Sequence, residues 1–187
     1  MGCLSPVYAW SPEYESAMNR SIIGIYYERP VYISPRLHRA DGTIGARLAF
    51  RDEIDCSLLF GRAAEDSGIP GMVYRPTASL MYKGQGGWKS RVVKLEDSRP
   101  GDLIFQHIPE SKGGLKKPKT AADPYGVNHV LGIVEHDGVQ KVIHASSSAQ
   151  TVKLIPLQGW VTRWMVSDGF RRPTKGEVVN EDERERR

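Results

Sequence analysis

The stretch that decides the fold is residues 52–70, which read DEIDCSLLFGRAAEDSGIP. Asp55 is a favourable N-cap, because its carboxylate can accept hydrogen bonds from the backbone N–H groups of a first helical turn. Gly68 and Pro70 form a helix stop signal. The stretch therefore predicts a helix that begins at Cys56. A thiol at a helix N-terminus is favoured as the thiolate, because the positive end of the helix dipole and unpaired N–H groups face it.

Cys56 alone does not decide the function. Most buried free cysteines pack as small hydrophobic side chains, so a structural role is the more common one for a lone cysteine. The decisive question is whether a histidine from elsewhere in the chain reaches the sulfur. If one does, the pattern is typical of a cysteine hydrolase.

Composition bounds the class of protein. The 187 residues are 40% hydrophobic, which suits a domain with a full core. We expect this domain to span residues 1–173, followed by a disordered charged tail over 174–187, where Glu and Arg dominate without apolar periodicity. With two cysteines, Cys3 and Cys56, the chain has no disulfide framework. It contains no apolar run of transmembrane length and no visible secretory signal, so we expect no membrane insertion.

The net charge of +4 does not indicate nucleic-acid binding. Much of the positive charge lies in one loop segment with glycine and proline, at Lys112, Lys116, Lys117 and Lys119. A nucleic-acid partner would require a basic stripe on a structured element and a recognisable module, and the sequence has neither. Weak attraction to an anionic polymer such as cell wall is compatible with this charge.

The order of predicted elements indicates an α+β fold. Pro12 begins a helix whose apolar positions, among them Met18, Ile22 and Ile25, predict a buried face. Residues 30–51 read as irregular and residues 71–98 as surface loop with one short extended piece. The predicted strands then follow at Leu103–Phe105, Asn128–Val134, Lys141–Ala145, Thr151–Ile155 and Trp164–Val166. The expected architecture is a set of N-terminal helices packed on an antiparallel sheet of about five to six strands.

Two of the five histidines fall on facing strands of a predicted hairpin. If Asp137-Gly138 closes it as a two-residue turn, His129 and His144 are diagonal neighbours on one face, about 7–8 Å apart. A four-residue loop would set them directly opposite each other, and a three-residue loop without a bulge would separate them onto different faces.

These residues supply the parts of a cysteine triad. Cys56 would attack a carbonyl, His129 would take the thiol proton, and His144 would orient the imidazole of His129. The reverse assignment, with His144 as the base, remains open. A zinc site is the weaker interpretation, because no close-spaced ligand pair is present, and we expect no metal or organic cofactor.

Four fragments, in this order, resemble motifs of the NlpC-type family of bacterial cell-wall cysteine peptidases, which have a reduced papain-like fold. They are Ile54–Ser57 at the nucleophile, Arg99–Phe105 at a Pro-Gly-Asp-Leu strand start, Asn128–Val130 with Gly132–Ile133 at the histidine strand, and Val142–Ser146 at the strand of the third polar residue. The resemblance covers residues 12–173.

The resemblance implies roles for individual residues. It makes Cys56 the nucleophile, His129 the base and His144 the orienting residue. It places Asp55 and Ser57 near the peptide end of a substrate, and Tyr32 is the nearest candidate for a further substrate-binding tyrosine. The backbone N–H of Cys56 would help to hold the oxyanion, which is consistent with its place at a helix start.

The chain departs from the family pattern at two well-defined positions. Leu58 follows Asp-Cys-Ser where the family usually has glycine, which would narrow the cleft or shift the packing of the helix. Leu131 stands between Val130 and Gly132 as though one residue were inserted, so we expect a β-bulge there.

The resulting hypothesis is a peptidoglycan hydrolase that cleaves an amide bond of the stem peptide through a thioester. We expect a monomer made in the cytoplasm and delivered to the wall by a phage or a secretion system, with an immunity or delivery partner. The alternatives are another papain-like enzyme, namely a CHAP-type amidase or a lipid- or protein-directed acyltransferase, and a catalytically idle binding module. His144 argues against the CHAP type, which usually has Asn or Glu as the third residue.

Overall fold

The computed structural model describes residues 12–28, 54–67, 76–146, 148–166 and 169–173. Three sequence predictions fall outside the described residues: the irregular segment with Tyr32, the helix stop at 68–70 and the tail at 174–187. Within the described part of the chain, no helix is long and apolar enough to cross a membrane.

Six antiparallel strands form one sheet in the order β1-β6-β2-β3-β4-β5. The strands are β1 Ser90–Val93, β2 Leu103–Gln106, β3 His129–His136, β4 Val139–Ser146, β5 Thr151–Ile155 and β6 Phe170–Pro173. The α-helices are α1 Pro12–Ser21, α2 Cys56–Asp66, α3 Ala78–Tyr82 and α4 Trp160–Arg163, and a π-helix, Ile22–Tyr26, continues α1. In the described ranges, 3₁₀ turns lie at Leu95–Asp97 and Glu110–Lys112. The predicted α+β class is confirmed.

The two faces of the sheet belong to two different apolar clusters. One cluster joins the N-terminal helices to one face, and its strand members include Leu103, Phe105, Val130, Ile143 and Ala145. The other cluster lies on the opposite face with Val161 of α4, and its strand members include Ile104, Leu131, Ile133, Val142 and Phe170. We call these the α2 face and the α4 face. Their members alternate along each strand, as the two-residue period of a β-strand requires.

The contact between α2 and the sheet depends on a glycine. A Cβ built at Gly132 would lie 2.4 Å from Cε1 of Phe60, a ring on α2, so a side chain here would prevent the helix from packing closely. Gly132 therefore points toward the α2 face. This observation fixes the orientation of every other residue of β3, because its pairing is regular.

The β3–β4 hairpin closes as predicted. His136 pairs with Val139, and the two intervening residues, Asp137 and Gly138, have φ values of 56° and 70°. Positive φ at both central positions is the geometry of the tight hairpin turn that Asp-Gly favours. The two-residue closure is thus the observed one.

The β-bulge expected at Leu131 is absent. Residues of β2 and β3 pair one for one, from Leu103 with Gly132 to Gln106 with His129, so no extra residue is accommodated on β3. Leu131 instead occupies a normal strand position, buried on the α4 face. The apparent insertion therefore places His129 on the face opposite Gly132.

The buried face of the first helix differs from the prediction at its end. Met18 and Ile22 are buried as predicted, but Ile25 is 40% exposed and Tyr26 is buried in its place. The physical reason is the π-helix over Ile22–Tyr26, whose wider turn moves the inward-facing position one residue along the chain.

The segments between and after the motifs differ more from the sequence prediction. The predicted strand at Trp164–Val166 is wrong: a helical turn, α4, precedes this segment, and it meets the sheet only through an isolated bridge between Met165 and Gln106. The sixth strand is Phe170–Pro173, which the sequence did not reveal. The loop predicted at residues 71–98 also contains α3, whose N-cap is Thr77.

A buried ion pair secures the start of β2. Asp102 is fully buried, and its two carboxylate oxygens accept 2.8 Å hydrogen bonds from Nε and Nη2 of Arg172 on β6. The backbone N–H of Arg99 donates to the same carboxylate at 2.8 Å. The Pro-Gly-Asp-Leu fragment of the sequence is therefore a structural clamp between two strands.

Candidate active site

The N-terminus of α2 has the geometry that its sequence predicts. Oδ1 of Asp55 accepts hydrogen bonds from the backbone N–H groups of Ser57 at 3.0 Å and Leu58 at 2.8 Å. These are the second and third residues of the helix, so this cap does not use the N–H of Cys56, the first residue. Cys56 is half-buried, forms no disulfide with another described residue, and packs against the cluster of the α2 face.

Ser57 ties α2 to the segment that leads into α3. Its side chain is buried, and its hydroxyl donates to the carbonyl oxygen of Pro76 at 3.0 Å and lies 3.3 Å from Oδ1 of Asp55. Ser57, the residue after Cys56, thus holds the carbonyl group of Pro76 next to the start of α2. The substrate contacts of Asp55 and Ser57 stay predictions.

The two predicted histidines are together on the sheet. The rings of His129 and His144 have centroids 5.7 Å apart and meet edge to face at 86°. Both lie on the α4 face, because His129 is three residues from Gly132 and His144 is adjacent to Ile143, which belongs to the α2 face. The two histidines are close together because the hairpin closes with a two-residue turn at Asp137-Gly138.

Burial keeps both imidazoles neutral. Burial of the ring, with a smaller contribution from His144, lowers the pKa of His129 to about 3. Burial, followed by the positive charge of Lys153, lowers the pKa of His144 to about 4. At pH 7 both rings are therefore in the unprotonated form that can accept a proton.

Cys56 and the two histidines lie on different elements, the start of α2 and the strands β3 and β4. Cys56 packs on the α2 face of the sheet, whereas the regular register of β3 directs His129 to the α4 face. The structure brings His129 and His144 together on neighbouring strands. The contact between Cys56 and His129 stays a prediction.

Gln106 is a neighbour of the histidine pair that the sequence analysis missed. It is fully buried and lies directly opposite His129 on β2. Its Nε2 donates to the carbonyl oxygen of Val161 at 2.8 Å, and its Oε1 has no hydrogen-bond partner among the described residues. A glutamine at the end of the apolar run Leu103–Phe105 was the available signal, because buried polar side chains need partners.

In the described parts of the chain, no group of three or more His, Cys, Asp or Glu side chains is arranged so that it could hold a metal ion. The histidine pair is accompanied by Gln106 and Lys153, neither of which completes a typical zinc ligand set.

Comparisons with known proteins found similarity to solved structures alone. No protein-family model matches the chain, and no curated protein matches it. Among solved structures, an NlpC/P60 family protein from Bacillus cereus is similar at 20% identity and a TM-score of 0.49. That match covers 90% of this chain and 42% of the Bacillus protein, so this chain spans less than half of that protein's length.

Two mycobacterial structures are similar to the same degree. The peptidoglycan hydrolase RipB from Mycobacterium tuberculosis is 18% identical with a TM-score of 0.49, over 89% of this chain and 70% of that chain. The P60 domain of an antigen from M. avium subspecies paratuberculosis is also 18% identical with a TM-score of 0.49, over 87% of this chain and 99% of that domain. The NlpC-type resemblance predicted from the motifs thus recurs among solved structures. At these identities and scores, it carries over neither activity nor residue roles.

Proposed function

We propose that the protein is a peptidoglycan hydrolase that cleaves an amide bond of the stem peptide, with Cys56 as the nucleophile, His129 as the base and His144 as the orienting residue. The substrate class comes from the four sequence motifs that resemble the NlpC-type family. The observation that carries the catalytic part is the capped start of α2. There the side chain of Asp55 accepts hydrogen bonds from the second and third N–H groups of the helix and fixes its first turn.

The chemistry is acyl transfer through a thioester. The sulfur of Cys56 forms a bond to the carbonyl carbon, and its proton passes to His129. The protonated imidazole gives that proton to the leaving amine as the C–N bond breaks. A water molecule then loses a proton to His129 and attacks the thioester, which releases the carboxylic acid and restores the thiol. The N–H of Cys56 would stabilise the oxyanion in both steps.

The histidine pair suits the base role in its resting state. Both rings are neutral above pH 5, because burial lowers their pKa values to about 3 and 4. A thiolate beside His129 would favour the protonated ring through charge attraction. His144, edge to face with His129, restricts the orientation that the ring can adopt.

Digestion of purified peptidoglycan tests the proposal. Wild-type protein is expected to release stem-peptide fragments whose masses correspond to addition of one water, as measured by liquid chromatography and mass spectrometry. Cys56→Ala and His129→Ala should each reduce the rate by at least about 10³-fold while the urea unfolding transition remains cooperative. Ser146→Ala, a buried change on the strand that carries His144, is the control and should retain activity.

The outcomes separate the alternatives. Products that carry an added acyl acceptor instead of water would identify an acyltransferase. Binding without any cleavage by the wild type would identify an idle module. Cleavage that survives Cys56→Ala would overturn the proposed mechanism.

A further inference from the structure

Arg171 of β6 lies on the same side of the sheet as Cys56. It pairs with Leu103, whose side chain belongs to the cluster of the α2 face, and cross-strand partners share a face. Its guanidinium carbon is 5.0 Å from the centroid of the Tyr82 ring on α3, and its positive charge acts against the burial that raises the pKa of the Tyr82 hydroxyl. The side chain is half-buried, so a ligand can reach it.

The charge of Arg171 has no acidic partner among the described residues. Its neighbour Arg172 makes a two-pronged ion pair with Asp102, but Arg171 makes none, and its Nε is buried without a hydrogen-bond acceptor in the described part of the chain. A guanidinium presents a rigid fork of donors that matches the two oxygens of a carboxylate.

The carboxylate of Asp123, which influences the pKa of Tyr82, already accepts several hydrogen bonds. Asp123 is close enough to Tyr82 to raise the pKa of its hydroxyl, as one of the smaller contributions after burial. Its oxygens accept hydrogen bonds from the Ser79 hydroxyl at 2.8 Å and from the backbone N–H groups of Gly126 and Val127 at 2.9–3.1 Å. Asp123 therefore organises the loop before β3 and is not available to Arg171.

Two aromatic rings form a wall beside the guanidinium. Tyr82 meets Phe105 edge to face at 5.5 Å on one side and Tyr125 at 6.2 Å on the other, and Tyr125 is 46% exposed. A half-buried phenol and an exposed one next to an unpaired cation offer contact area for a peptide with a charged end. We call Tyr82, Tyr125 and Arg171 the Arg171 cluster.

The Arg171 cluster is linked to the start of α2. Tyr82 is the last residue of α3, the helix that Thr77 caps, and the preceding Pro76 accepts the hydrogen bond of Ser57, the residue after Cys56. A substrate that contacts the cluster would thus lie along the segment that is fixed beside the thiol.

We infer that the Arg171 cluster binds a free carboxylate of an acidic peptide substrate and selects it over the corresponding amide. The identity of that substrate as a stem peptide rests on the proposed function. The recognition itself rests on the unpaired guanidinium, the aromatic wall and their position on the α2 face.

Binding by an inactive protein tests the inference without turnover. Calorimetric titration of Cys56→Ala protein with a synthetic stem peptide that carries free carboxylates should give a dissociation constant at least about tenfold lower than titration with the same peptide carrying amidated carboxylates. In the Cys56→Ala background, Arg171→Met should remove this preference. Arg171→Lys, which keeps the charge but loses the fork, should leave a preference of about threefold or less.

Arg163 provides a matched control. Its guanidinium carbon lies 4.9 Å from the Trp164 ring, the same kind of cation–aromatic contact in the segment beside α4. Arg163→Met should keep the full preference for the carboxylate. Equal binding of the two peptides, no binding of either, or a preference that survives Arg171→Met would overturn the inference.

Failure of the inference and failure of the proposed function give different results. If wild-type protein cleaves the acid and the amide equally well, the inference is wrong and the hydrolase proposal stands. If binding depends on Arg171 but wild-type protein cleaves nothing, the hydrolase proposal is wrong and the carboxylate site stands.

Discussion

Acid should destabilise this protein through its two sheet histidines, and replacing one of them should remove a defined part of that effect. We consider His144→Asn. The pKa of His144 is lowered to about 4 in the folded protein, mainly by burial, whereas an unfolded chain has a histidine pKa of about 6.5. Below pH 6.5 the unfolded chain therefore binds a proton that the folded protein excludes, so stability falls as the pH falls from 6.5 toward 4.

The magnitude follows from these two pKa values. Between pH 7 and pH 5, the unfolded state gains about 0.7 of a proton at this position and the folded state gains about a tenth of one, which lowers the free energy of unfolding by about 2 kcal/mol. His129, with a pKa of about 3, contributes about 2 kcal/mol by the same reasoning. The pair should therefore account for about 4 kcal/mol of acid sensitivity, and His144→Asn should remove about half of it.

Urea unfolding followed by tryptophan fluorescence at pH 7 and pH 5 measures this difference. The quantity compared is the loss of stability between the two pH values, so the cost of the substitution itself cancels. Ser146→Ala is the control: Ser146 is buried on the same face of β4, two residues away, and does not titrate in this range. If His144→Asn loses as much stability between pH 7 and pH 5 as the wild type, the reasoning from burial is refuted.

Three further predictions concern the supports of the site. Arg172→Met should lower the free energy of unfolding by about 3–5 kcal/mol, because it leaves the buried carboxylate of Asp102 unpaired; a loss below 1 kcal/mol in urea unfolding would contradict this. Gly132→Ala should cost about 1–3 kcal/mol through overlap with Phe60, and Phe60→Leu in the same chain should recover part of that loss, as a thermal shift would show. Asp55→Ala should cost about 1 kcal/mol by removing the α2 cap, whereas Asp55→Asn should cost a few tenths; equal losses in the two variants would argue against the capping role.

The parts of the fold that sequence could predict depend on local chemistry. The cap at Asp55 and the turn at Asp137-Gly138 were both predictable, because a few neighbouring residues determine each geometry. Ile25 and the segment Trp164–Val166 were not. The exposure of Ile25 depends on a π-helical turn. The conformation of residues 164–166 depends on the bridge between Met165 and Gln106 at the end of β2, and no local sequence pattern reports that contact.

The same distinction applies to the candidate site. The neighbourhood of His129 and His144 followed from one turn and the two-residue period of strands. The face on which they lie did not, because it depends on the docking of α2 through the contact of Phe60 with Gly132. The absence of a bulge at Leu131 also depends on contacts between distant segments. Pairing with β2 sets the register of β3, and similarity to a sequence motif does not report that pairing.

The central claim is that Cys56 is an activated thiol coupled to His129. The most direct test is the rate at which iodoacetamide alkylates Cys56 at pH 6, with Cys3→Ser as the background so that one thiol is observed. We expect Cys56 to react at least about tenfold faster than a thiol in an unstructured peptide, and we expect His129→Ala to abolish most of that excess. A rate equal to that of the peptide thiol, or one that His129→Ala leaves unchanged, would contradict the account.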